Sequence, residues 1–240
     1  MDRFQNPDFE KRLASISTMW TMLRDAHGDQ ATNALEARQL LLERYGGAIH
    51  RYLLAAVRDP HVADDLTQEF ALRLVKGDYR NVNPGRGRFR DYVKTILFRM
   101  VGEYRRRQAR NPAAANREVV EIPDSAEETT QLDQQWLDSW RDELLARSWN
   151  SLFHQNRMFY EVLRFRAENP QLPGDKAAGE LSRKLDKPVT PAAMRQTLKR
   201  ARDAFAGFLI EEVAGSLDDP DRESVESELI DLNLHVYCNR

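Results

Sequence analysis

A chain of 240 residues is long enough for two small domains or one large one, and 41% hydrophobic with 31% charged residues suits packed amphipathic helices better than a hydrophobicity-rich sheet. The formal net charge is only −2 and the one cysteine is Cys238, which excludes a global attraction to nucleic acid and an intrachain disulfide framework. No run approaches the ~20 apolar residues of a membrane span, and MDRFQNPDFEKRL at the start lacks the apolar centre of a signal peptide, so a cytoplasmic protein without membrane insertion is expected.

Residues 1–30 read as an N-terminal extension in which Trp20, within an apolar TMWTML stretch, is a packing residue. A helix is expected from near Ala31, capped by Asp29, to about Val57. Leu42, Tyr45, Ile49, Tyr52, Leu53 and Ala56 have the spacing of its buried face. Gly46-Gly47 interrupts that face at roughly 1 kcal/mol each relative to alanine, which either a close approach of a second helix or a local break explains.

Asp59-Pro60 opens the next helix as an N-cap and N1 pair, and Ala63, Leu66, Phe70 and Leu74 form its buried stripe. Asp64, Asp65, Gln68 and Glu69 lie opposite, together with Leu72 and Val75. Aliphatic residues on an acidic face suggest a protein contact. Residues 77–88 form a loop with a turn at Asn83-Pro84-Gly85 and bases at Arg80, Arg86 and Arg88. A helix from Phe89 to about Gln108 then buries Phe89, Val93, Ile96, Met100 and Tyr104. Its outer face holds Lys94, Thr95, Phe98, Gly102, Arg105 and Arg106. A bulky aromatic among bases and small residues is what a single-stranded nucleic-acid platform needs. From 94 to 110, six bases (Lys94, Arg99, Arg105, Arg106, Arg107, Arg110) stand against Glu103 alone. Cations complementing the helix dipole are the plainer reading of that run.

Alanine, proline and six acids without apolar period make residues 113–135 an acidic linker between a first domain at 31–112 and a second at 136–214. Trp136, Trp140, Leu144, Leu145, Trp149, Leu152, Phe153, Phe159, Val162, Leu163 and Phe165 supply the second core. Ala177, Ala178, Leu181 and Leu185 mark a short helix, Asp186–Val189 a turn, and Thr190-Pro191 the cap and first position of a longer helix burying Met194, Leu198, Ala201, Phe205 and Leu209. Arg195, Gln196, Lys199, Arg200 and Arg202 lie on or beside its outward arc. That is a helix-turn-helix pattern with base-reading and phosphate-contacting side chains near the start of its second helix. A plain helical hairpin with a charged face is the alternative.

Residues 215–240 form an acidic C-terminal extension; 211–231 hold nine acids and one arginine. This tail is either a terminal helix packed on the second domain or a movable lid. As a lid it folds back on the basic helix-turn-helix through Leu229, Ile230 and Leu232, and its acids compete with DNA phosphates.

The chain resembles a bacterial RNA polymerase sigma factor of the extracytoplasmic-function type, nearest the divergent planctomycete-like members. Asp65–Phe70 (DLTQEF) and Arg86–Tyr92 (RGRFRDY) look like region 2 of that family; Leu181–Leu185 (LSRKL) and Val189–Arg202 (VTPAAMRQTLKRAR) look like region 4. The resemblance covers roughly residues 31–110 and 136–214 and implies an all-α fold of two small helical domains. It implies no enzymatic activity, cofactor or metal. It also implies that Asp65, Gln68, Glu69, Leu72 and Val75 dock on the clamp of the polymerase's largest subunit. Arg88, Arg90, Lys94, Phe98, Arg99, Arg105 and Arg106 would serve the minus-ten element. Thr190, Arg195, Gln196, Lys199, Arg200 and Arg202 would serve the minus-thirty-five element, with docking on the flap of the second-largest subunit. The partners implied are core RNA polymerase and promoter DNA, with room for an anti-sigma protein. Tyr92 and Arg99 stand where many relatives carry tryptophan and asparagine.

Three other readings compete. A helix-turn-helix regulator would act on duplex DNA without polymerase. A metalloenzyme would use His61, Asp65 and Glu69, which recur every four residues along one helix. An anti-sigma-like or adaptor protein would make no DNA contact at all.

Overall fold

The computed structural model describes residues 11, 13–16, 18, 20–21, 31–76, 88–110 and 126–238, and for residues 31–38, 75 and 126–129 the backbone alone. The fold is all-α, with eight α-helices and no strand among these residues. None of the helices is long and apolar enough to cross a membrane.

Helix α1 (Ala31–Val57) runs unbroken through Gly46-Gly47. Leu41, Tyr45, Ala48, Ile49, Tyr52, Leu53 and Ala56 are buried along it, and Leu42 packs at the edge. The glycine pair is explained by close approach, and at Gly47 only. A Cβ there would meet the Glu143 carboxylate at 2.9 Å and the Arg51 guanidinium at 3.3 Å, whereas one at Gly46 would meet nothing. Arg58, left-handed at φ 56°, ends the helix. Asp59 then caps α2 (Pro60–Lys76): its carboxylate accepts from His61 N at 2.9 Å and Val62 N at 3.3 Å. Ala63, Leu66, Phe70 and Leu74 face inward as the spacing requires.

Helix α3 (Phe89–Ala109) buries Phe89, Val93, Ile96, Leu97, Met100 and Val101. Trp20 of the N-terminal extension is a packing residue, 3% exposed, with its ring edge-on to Phe89 at 5.4 Å. Residues 77–87, with Arg80 and Arg86, and residues 111–125 lie outside the described part.

Helix α4 (Ala126–Gln155) begins ten residues before the apolar pattern announces it, so residues 126–135 of the expected linker are helical. Its opening turns hold no large apolar residue before Leu132, and a hydrophobic period cannot reveal them. Glu127 and Glu128 near the start suit the positive end of the helix dipole. Further along, Trp136 and Trp140 are fully buried against α1. Trp140 stacks on Tyr45 at 4.3 Å and 6°, and Trp136 meets Tyr52 edge-on at 5.6 Å. Burial pushes the Tyr52 phenol up to about 12.

Asn156 caps α5 (Arg157–Glu168), accepting from Phe159 N at 3.1 Å. Helix α6 (Gly174–Leu185) ends at Asp186, left-handed at φ 48°. Thr190 caps α7 (Pro191–Ala214), and α8 (Arg222–Asp231) starts with a reciprocal Asp221–Ser224 capping box before a final turn at His235–Tyr237. Val162, Phe165, Ala177, Ala178, Leu181 and Met194 form a small core under α5–α7.

One larger core joins the rest. Phe205, Leu209 and Val213 of α7 and Val225, Leu229, Leu232 and Leu234 of the tail share it with α1–α4. Its polar knot is Glu212, which receives Arg44 Nη2 at 3.0 Å from α1 and Arg147 Nε at 2.7 Å from α4.

Candidate nucleic-acid and polymerase interface

The outward face of α2 is open. Asp65 and Gln68 are exposed, and Leu72, at 58%, is among the most exposed large aliphatics. Glu69 is half-buried and already engaged by Arg73 at 2.5 Å and Arg107 at 3.4 Å. Arg73 also reaches Glu103 on α3 at 2.8 Å, and that hydrogen bond holds the Glu103 carboxyl below its ordinary range. Val75 belongs to the same register, but its side chain lies outside the described part. His61, Asp65 and Glu69 do not converge as a metal trio: no group of three or more His, Cys, Asp or Glu among the described residues could hold an ion.

Along α3, Arg90, Lys94 and Phe98 lie four residues apart and so form one stripe on successive turns. Its two halves differ. Phe98 is 55% exposed although every other large apolar side chain of the helix is buried or half-buried, and Arg99 and Arg106 are exposed with it. Arg90 is 6% exposed; its Nε donates to Glu228 Oε1 at 2.7 Å and its Nη2 to Oε2 at 3.2 Å. Arg88 donates from Nε to the same carboxylate at 2.8 Å, pairs with Asp231 and reaches Ser227 Oγ at 3.3 Å. Lys94 pairs with Asp133 of α4 at 2.7 Å. Arg105 turns inward and donates to the Ala56 carbonyl at 2.8 Å, closing a backbone acceptor in the last turn of α1.

The seven residues expected to serve the minus-ten element are therefore not equally presented. Phe98, Arg99 and Arg106 are presented, Arg105 ties two helices together, and Arg88, Arg90 and Lys94 are paired with acids from beyond residue 125. Glu228, which decides this, was visible only as one acid among nine.

The tail also departs from expectation. Its Glu228 and Asp231 meet Arg88 and Arg90 at the start of α3. Leu229 and Leu232 are buried anchors, but Ile230 is 57% exposed.

On α7, Arg195, Gln196, Lys199 and Arg200 are exposed, and no ion pair involving these bases occurs among the described residues. Arg202 is half-buried. Thr190 Oγ1 accepts from Ala193 N at 3.2 Å, so this hydroxyl starts the helix. The preceding turn is held by Ser182, whose Oγ donates to Ala178 O at 2.7 Å and accepts from Val189 N at 2.9 Å. Met194, buried on Leu181 and Ala178, seats α7 on α6.

Residues 41–111 match the family described as Sigma-70 region 2. Over these residues the chain is similar to sigma-70 family RNA polymerase sigma factors. The match spans α1 from Leu41, α2 and α3, so the acidic face with Leu72 and the Phe98 stripe both lie within it. No curated protein and no solved structure matches the chain. A sigma-70 factor is a non-catalytic transcription factor that binds core RNA polymerase and promoter DNA, which sets aside the metalloenzyme reading.

Proposed function

We propose that this protein is an initiation factor of the extracytoplasmic-function type. It docks on the polymerase clamp through Asp65, Gln68, Leu72 and the Glu69–Val75 flank of α2. It opens the minus-ten element over Phe98, Arg99 and Arg106, and it reads the minus-thirty-five element with Arg195, Gln196, Lys199 and Arg200 while docking on the flap. The observation that carries the reading is Phe98. Leaving a phenylalanine 55% exposed on a helix whose other large apolar groups are covered forgoes roughly half of the about 1.5–3 kcal/mol that full burial brings. A stacked unpaired base recovers at least that, about 1–3 kcal/mol. Arg99 and Arg106 beside it supply backbone contacts.

The α6–turn–α7 unit supports the second contact. Its exposed guanidinium and amide groups have the donors and acceptors that guanine and adenine edges require in the major groove. The test is reconstitution: core polymerase plus this protein should initiate at discrete promoters, with permanganate-reactive thymines near minus ten. Absence of both specific starts and reactive thymines sinks the reading.

A further inference from the structure

We propose that the acidic C-terminal helix α8 is a removable cover over the promoter-facing end of α3, its carboxylates standing where DNA phosphates would bind. The inference rests on α3 being the minus-ten helix and adds how that site is regulated. Glu228 is fully buried and takes both Arg88 and Arg90; Asp231 takes a further donor of Arg88. One short helix near the end of the chain thus occupies the guanidinium donors of two successive basic positions. Asp133 does the same for Lys94, one turn further along the stripe. Carboxylate and phosphate oxygens accept the same fork of guanidinium N–H groups, so each can replace the other.

A latch accounts for this arrangement better than a structural rivet does. Desolvating two arginines and a glutamate cancels most of their mutual attraction, so the cluster is a poor source of net stability compared with apolar packing. Its charges become solvated again, and none is stranded, if α8 leaves as a unit. The apolar anchors beyond Pro220 are Val225, Leu229, Leu232, Leu234 and Cys238, of which only Val225 and Leu229 belong to α8 itself. The connection from α7 is short, with Asp218, Asp219 and Pro220 outside the core, so the released helix stays tethered close to its site.

The experiment uses the full chain with core polymerase and a fork promoter. Amide hydrogen exchange of residues 222–231 is followed in the free protein, with polymerase, and with polymerase plus DNA. Protection in the free protein that collapses in the promoter complex is expected. Asp231→Asn loosens the half-exposed rim of the latch and leaves Glu228 paired, so the fold should hold. It should tighten fork binding by about two- to fivefold, the worth of one half-exposed ion pair. The salt slope should steepen by about 0.7 for each arginine that reaches a single-strand phosphate. Full protection of α8 in the promoter complex, with no gain in affinity for Asp231→Asn, overturns the cover. If the wild-type protein binds polymerase but Phe98→Ala changes neither fork binding nor thymine reactivity, the assignment of α3 itself fails and the cover with it.

Discussion

The two ends of the α3 stripe carry the same kinds of residue and meet different fates. Arg88, Arg90 and Lys94 are paired with Glu228, Asp231 and Asp133, whereas Phe98, Arg99 and Arg106 face solvent. A base is available to a phosphate only to the extent that its present partner can be displaced, and no count of bases contains that information. On α7, Arg195, Lys199 and Arg200 are exposed and Arg202 is half-buried, although the tail was expected to fold back there. The acids and their opponents were both visible; the pairing depended on where the large core placed α8. Trp136 and Trp140 on Tyr52 and Tyr45, and Leu229 in the large shared core, decide it through apolar contact, which is non-directional in sequence.

The sharpest way to break the comparison is to remove one base from each end. Arg90→Ala should destabilise the protein by about 3–5 kcal/mol, because Glu228 is left charged, buried and short of its best donor. Arg106→Ala, on the exposed end, should stay within about 0.5 kcal/mol. Chemical denaturation of both variants measures the contrast. Equal losses would mean that the Glu228 cluster is solvated in solution.

Phe98→Ala tests whether the open end is functional surface. Its folding stability should fall by less than about 1 kcal/mol, since little area is uncovered. Promoter opening should weaken by about 1–3 kcal/mol, roughly 5- to 150-fold, as the stacking platform is lost. Core-enzyme binding should be unchanged, because the α2 face is untouched. A drop of several kcal/mol in stability would instead make Phe98 a core residue.

The α7 arc separates two kinds of contact. Gln196→Ala should cost about 1–3 kcal/mol on promoters with the cognate base and little on a variant lacking it, as an edge-reading contact does. Lys199→Ala should weaken all sequences alike and reduce the salt slope by about 0.9 if it neutralises one duplex phosphate. Competition binding across a set of upstream-element variants distinguishes the two patterns; unchanged binding by both variants removes α7 from the interface.

What was legible in the chain follows one rule. Local signals came through: the Asp59-Pro60 and Thr190-Pro191 starts, the Ala63–Leu74 stripe, the exposed Phe98 and the seating of Met194 all have their causes within a turn or two of sequence. Partnerships across the chain did not. Arg105 bonding a carbonyl 49 residues away and Arg90 meeting an acid 138 residues away look, in sequence, like two more bases in a basic run. The opening of α4 was missed for another reason, since its first turns have no large apolar residue before Leu132 and a period cannot be read from polar residues.

The smallest effect concerns the tether between α2 and α3. Arg73 of α2 holds Glu103 of α3 at 2.8 Å and Glu69 at 2.5 Å. The hydrogen bond from Arg73 lowers the Glu103 carboxyl below its unfolded value, so the folded state binds fewer protons there than the unfolded state. The stability this contributes is present above the ordinary carboxylate range, about pH 4.3, and is lost as pH falls through the lowered folded value. Glu103 is 41% exposed, so solvent screening should hold the contribution below about 0.5 kcal/mol. Glu103→Gln should therefore melt slightly below the wild type near neutral pH, and the gap should close on acidification. Thermal melts between about pH 7 and pH 3 provide the check. A gap that persists in acid would assign the loss to packing of the side chain, and Arg73 would then be held by Glu69 alone.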